Sequence, residues 1–103
     1  MHKYNLKLGD YPTVITGDFN MHPDYPAYKE MAVHYWDVNM ETTKDMCNTF
    51  HSFRPEEHAK ELIDYCFVDN GFRPVSYRRI TDKVGGHCPS DHYGIQATIR
   101  FSE

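Results

Sequence analysis

The chain has 103 residues, a length for one small domain or less. Its formal charge of −4 and pI near 5.9 argue against a protein that grips nucleic acid by a basic surface alone. With three cysteines, no CxxC pair, and no apolar run near the roughly 20 residues of a membrane span, neither a disulfide framework nor a transmembrane helix is expected. A reducing, cytoplasmic setting is the simpler reading, an export signal in a missing N-terminal part staying open. Eight Tyr and six Phe with scarce Leu favour a sheet-rich core.

In chain order, residues 1–10 carry too little pattern to separate a helix end from a ragged lead-in. Thr13 to Thr16 reads as a short buried strand running into Gly17-Asp18-Phe19-Asn20. A carboxylate at the end of a buried strand is costly unless it is paired, hydrogen-bonded or metal-bound. Asp24-Tyr25-Pro26 opens a helix with Pro26 at its first position, where the missing N–H costs nothing. Tyr28, Met31, Ala32 and Tyr35 form its apolar face. Trp36 to Met46 reads as loop with a short turn.

Asn48 to Phe53 ("NTFHSF") alternates as a strand, and Arg54 to Lys60 is a charged loop. In "LIDYCFVD", Leu62 to Asp69, alternation sets Ile63, Tyr65 and Phe67 against Asp64, Cys66 and Val68. Pro74 to Thr81 and Tyr93 to Phe101 complete the strands, separated by the Gly- and Pro-marked loop "DKVGGHCPSDH". Cys66 reads as a small buried hydrophobe. Arg78 and Arg79 point to opposite faces, so at most one reaches a phosphate. The count is about five strands and one helix, and one helix covers only one face of a sheet. The second face is therefore expected to be bare.

Polar groups collect at strand ends and beside them: Asp18 with Asn20, His51, Asp64, and Asp91 with His92. Two carboxylates, an amide and an Asp-His pair resemble the parts list of a metal-dependent phosphoesterase, with oxygen ligands suited to Mg²⁺ or Mn²⁺. The cation would polarise phosphoryl oxygens and offset the acidic charge, and a His oriented by a carboxylate would handle a proton.

"TGDFN", "IDYCFV" and "PSDHYGI", in that order and each fused to a strand, resemble the C-terminal half of the endonuclease/exonuclease/phosphatase (deoxyribonuclease I-like) superfamily. The resemblance implies an α/β (α+β) fold, half of a four-layer sandwich. About five mostly antiparallel strands would lie in one sheet with one main helix on one face, residues 1–103 forming a single half-domain. It implies that Asp18 positions or activates the attacking water and that Asn20 orients it. Asp91 would bind the cation, and His92 would contact the phosphate with its tautomer fixed by Asp64. His51 is carried over as a phosphate contact, beside the alternative of an ordinary packed histidine; His22 and His87 read as loop residues. The family's "QE" motif, whose Glu is its principal metal ligand, has no counterpart here: Glu30, Glu41, Glu56, Glu57 and Glu61 stand in other contexts. A truncated or split hydrolase is therefore expected, acting on a phosphate ester with nucleic acid not favoured. It would pair with a complementing N-terminal half or form a homodimer. The alternative is a non-catalytic half-domain that associates through its sheet face.

Overall fold

A computed structural model of the chain describes residues 11–102, so the lead-in at residues 1–10 lies outside the described part. The elements are β1 (Val14–Asp18), α1 (Pro26–His34), β2 (Trp36–Asp37), α2 (Val38–Glu41), a 3-10 turn at Pro55–Glu57, β3 (Asp64–Val68), β4 (Phe72–Ile80) and β5 (Gly94–Phe101). The helix opens at Pro26 as expected and stops where Tyr35 turns extended. Where a loop was expected, Trp36 and Asp37 pair with β3. The Asp37 carboxylate then caps α2 by accepting from the Asn39 N–H at 3.0 Å.

The strands form two sheets rather than one: β1-β3-β2, and a separate β4-β5 hairpin. All pairings are antiparallel. The division follows from β3, whose C-terminal residues Phe67 and Val68 already pair with β1 on one edge and β2 on the other. A chain leaving β3 at Val68 finds both edges taken and must pair elsewhere. The segment "NTFHSF" is not a strand. Only Phe50 makes a bridge, to His92, because Ser52 and Phe53 turn the backbone left-handed at φ 50° and 59°.

The alternation along β3 is as expected. Tyr65 and Phe67 pack with Met21, Tyr28 and Leu62, joined by the partly buried Ile15, Phe19, Met31 and Tyr35. Ala32 stays exposed. Tilted aromatic contacts at 5.2 Å (Tyr28–Tyr65) and 5.4 Å (Phe19–Phe67) fix α1 and the end of β1 on this face.

The opposite face is not bare along β3. Cys66 and Val68 are buried with Val38 of α2 and Tyr77 of β4, and Phe72, Ile95, Ala97 and Ile99 pack against them. The hairpin lost from the sheet has become its cover. It does not reach across β1, where Val14 and Thr16 remain exposed on the same face.

Candidate active site

Register builds the site. In the β1–β3 ladder Asp18 stands opposite Asp64, so the last residue of one strand meets the first of the other. Two carboxylates directly opposite repel unless a cation or a donor lies between them. His92 supplies it: Nδ1 is 2.8 Å from Asp64 Oδ2, and Nε2 is 3.7 Å from Asp18 Oδ2. Asp64 is the most enclosed of the three and Asp18 the most open, with side-chain exposures of 15% and 40% and His92 between at 28%.

Local backbone chemistry aims each group. Gly17 adopts φ +147°, where only glycine is comfortable, and nothing lies within 4 Å of where a Cβ would stand. Its freedom, not space, lets β1 turn Asp18 outward. Asn20 follows at φ 50°, a conformation Asn tolerates, and its N–H donates to Asp18 Oδ1 at 2.9 Å. The Tyr65 hydroxyl reaches the carbonyls of Met21 (2.7 Å) and Leu62 (3.0 Å), fastening the loop after Asn20 to the start of β3.

The His92 loop is fastened likewise. The Asp91 carbonyl accepts from the N–H groups of His51 (2.9 Å) and Ser52 (3.2 Å), and Ser90 Oγ accepts from the His92 N–H at 3.1 Å. The Phe50 ring stands edge-on to the imidazole at 5.1 Å. Partial burial pulls the His92 pKa down. The hydrogen bond to Asp64 and the charges of Asp64, Asp18 and Asp91 outweigh this, and the net shift is upward. A cleft of about 260 Å³ opens here, with Thr16, Asp64, Ser90, His92 and Tyr93 among its walls. A larger recess of about 510 Å³, walled by His22, Asp24, Met46 and Lys60, holds none of the clustered groups.

Asp18, Asp64 and His92 each offer a ligand atom, and these atoms lie within 4.8 Å of one another. With Nδ1 engaged by Asp64, the hard donors are the carboxylates. One or two carboxylates are what Mg²⁺ commonly takes from protein, with water and phosphate completing its shell, so the donor set fits such a cation.

The remaining expected residues sit apart. Asp91 is exposed and outside that group, though its charge is felt by His92. His51 has no exposed surface: Nδ1 accepts from the Phe53 N–H at 2.9 Å, and its ring packs on Tyr93 at 4.5 Å. His22 pairs with Glu61 at 3.0 Å and stacks on Tyr25. His87 closes a loop bridge to Val84.

Arg79, one of the two arginines expected on opposite faces, is a clamp. It donates to Asp45 Oδ2 (3.1 Å) and the Asn48 carbonyl (3.0 Å), and its guanidinium lies 5.4 Å from the centre of the Tyr93 ring. Sequence reasoning also missed Thr49, Phe50 and Tyr93 as supports of the cluster. Their one signal was adjacency to His51 and His92 in "NTFH" and "DHY".

Fold and cluster together define a mixed α/β domain with an acid–imidazole site at its strand ends. The model of the Endonuclease/Exonuclease/phosphatase family matches residues 3–92, and the chain belongs to that family. Two solved structures are similar: a conserved protein of unknown function from Enterococcus faecalis V583 (25% identity, TM-score 0.79) and the endonuclease/exonuclease/phosphatase from Bacteroides vulgatus (26% identity, TM-score 0.81). Each likeness covers 98% of this chain and 41% of the other. The chain thus spans well under half the length of these relatives. No curated protein matches it.

Proposed function

We propose that the chain contributes the acid–imidazole part of a divalent-metal-dependent phosphoester hydrolase. The observation that carries this reading is the bridging of Asp64 and Asp18 by His92. With Nδ1 held by Asp64, Nε2 is turned toward Asp18. The upward-shifted pKa favours a protonated ring, which suits contact with phosphate and proton donation to the leaving oxygen. Asp18, open and 3.7 Å away, is then the base that takes a proton from the attacking water, and Asn20 orients that water. A Mg²⁺ or Mn²⁺ ion held by carboxylates of Asp18, Asp64 or the nearby Asp91 would polarise the phosphoryl oxygens. The substrate is a phosphate ester, with long nucleic acid disfavoured by the charge of −4.

No helix among the described residues is long and apolar enough to cross a membrane. The three free cysteines accord with a reducing, cytoplasmic setting.

Hydrolysis of bis(p-nitrophenyl) phosphate with and without Mn²⁺ tests the reading. Asp18→Ala and His92→Ala should each lower the metal-dependent rate by roughly 10²–10⁴-fold. Metal-dependent turnover that survives both substitutions would overturn it.

A second reading is a half-domain that binds another copy of itself, or a complementing partner, through its open sheet face. Exposed Val14 and Thr16 beside the site favour it. On that reading the half-domain is an interaction module and not itself catalytic.

A further inference from the structure

Asp64 opens β3 and His92 stands in the loop that joins β4 to β5, so something must hold that loop against the other sheet for the couple to form. One residue is bonded to both carriers. Thr49 is fully buried, and its Oγ1 accepts from the N–H groups of Ile63 (3.0 Å) and Asp64 (3.1 Å). Its N–H donates to the Glu61 carbonyl at 3.0 Å, and its carbonyl accepts from the Tyr93 N–H at 2.6 Å. The side chain thus grips the start of β3 at Asp64 itself, while the backbone grips the residue after His92. The next residue, Phe50, bridges His92 through its backbone and packs its ring on the imidazole.

The chemistry explains why a hydroxyl is needed. β2 reaches only Phe67 and Val68, so it supplies no acceptor at the N-terminal end of β3. A single hydroxyl oxygen with two lone pairs satisfies two neighbouring buried N–H groups there. Valine has the same shape but no acceptor, and it would leave both N–H groups unpaired. The start of β3 would then shift to find partners, carrying Asp64 away from the imidazole.

We propose that Thr49 is the positioning residue of the Asp64–His92 couple, its hydroxyl setting Asp64 and its carbonyl setting the His92 loop. The catalytic part of this role rests on the hydrolase reading above; the geometric part does not. Thr49→Val and Thr49→Ser separate the oxygen from the packing, and two measurements read the result. Proton NMR follows the low-field Nδ1–H resonance of His92 bonded to Asp64, and kinetics on bis(p-nitrophenyl) phosphate separate kcat from KM.

Thr49→Val should lose the resonance while keeping its circular dichroism, and kcat should fall roughly 10–100-fold with little change in KM, the scale of a small misplacement of reacting groups. Thr49→Ser should retain both. A folded Thr49→Val protein with unchanged resonance and kcat overturns the proposal. Should the valine variant fail to fold, the serine variant decides: a retained resonance supports the hydroxyl's role, and a lost one overturns it. A wild-type chain without turnover counts against the hydrolase reading alone, since the resonance still judges Thr49.

Discussion

His92 and Asp64 meet at 2.8 Å although 28 residues separate them, and the contact joins the loop between β4 and β5 to the first residue of β3. The couple is therefore a link between the two sheets as well as part of the site. Its strength must follow the charge on the imidazole. Partial burial opposes that charge, the Asp64 hydrogen bond and the carboxylates of Asp64, Asp18 and Asp91 favour it, and the pKa is raised.

For a histidine raised in the folded state, the stabilisation is fully present below the unfolded pKa of about 6.5 and is lost as pH rises through the folded pKa. Urea unfolding of wild type and Asp64→Asn across roughly pH 5–9 should show this. The stability gap should be widest at the acidic end of the neutral range and shrink as pH rises above about 6.5. A gap that stays constant over that window would mean that the couple does not carry the linkage.

Asp37 gives a second prediction. It is 4% exposed, and its Oδ2 accepts from the Tyr28 hydroxyl at 2.7 Å. Burial lifts its carboxyl above the ordinary range, against the hydrogen bonds from Tyr28 and the backbone of Asn39 and Met40. A carboxylate raised in this way costs stability as pH climbs from about 3.9 through the folded pKa. Tyr28→Phe removes one of the donors that ease the charge. It should cost about 1.5–3 kcal/mol near pH 7, the range of hydrogen bonds to charged groups, and less near pH 4. Equal losses at the two pH values would show that packing, not the ionised carboxylate, sets the cost.

Much of this was legible in the sequence because strand alternation is a strict period. Tyr65 and Phe67 could only face away from Asp64, Cys66 and Val68, and Pro26 could only open a helix. Asp18, Asp64 and His92 were legible through the motifs "TGDFN", "IDYCFV" and "PSDHYGI", although β1 is largely exposed rather than the buried strand expected. The division into two sheets was not. It depends on β2, a two-residue strand with no periodicity, occupying the edge of β3 at Phe67 and Val68. The strand expected at "NTFHSF" failed for a related reason: left-handed Ser52 and Phe53 break the alternation that the sequence shows. Thr49 was invisible because one hydroxyl's two backbone partners lie 14 and 15 residues ahead.

The Arg79 clamp yields a third prediction. The Arg79–Asp45 pair is about one-fifth exposed on each side, at 19% and 22%. Burial alone would raise the Asp45 carboxyl, but the Cys47 hydrogen bonds and Arg79 bring it below the ordinary range. Stability from Asp45 is thus present above about pH 3.9 and lost as pH falls through its folded pKa. Arg79→Lys keeps the charge but cannot serve Asp45, the Asn48 carbonyl and the Tyr93 ring together. It should cost roughly 1–3 kcal/mol in urea unfolding, less than breaking a fully buried pair because solvent screens this one. A lysine variant as stable as wild type would reduce the clamp to a surface ion pair.

The open face of β1 gives the last prediction. Register places Val14, Thr16 and Asp18 on the same face as Val68, Cys66 and Asp64. The hairpin covers the β3 side of that face and leaves Val14 40% exposed. On the hairpin itself the ladder slips between Pro74 and Ser76, and Val75 at the slip is 50% exposed. Proline lacks the N–H that a regular ladder would use there. Apolar side chains on a sheet face, next to a strand edge that has no partner among the described residues, invite a second layer. The chain should therefore run as a dimer or larger species in light scattering at roughly tens of micromolar, a concentration at which modest association is populated. Val14→Lys puts a charge on that face without touching the buried clusters, so it should shift the mass toward monomer while far-ultraviolet circular dichroism stays unchanged. A wild-type monomer that unfolds cooperatively at that concentration would show that α2 and the hairpin already give the sheet all the cover it needs.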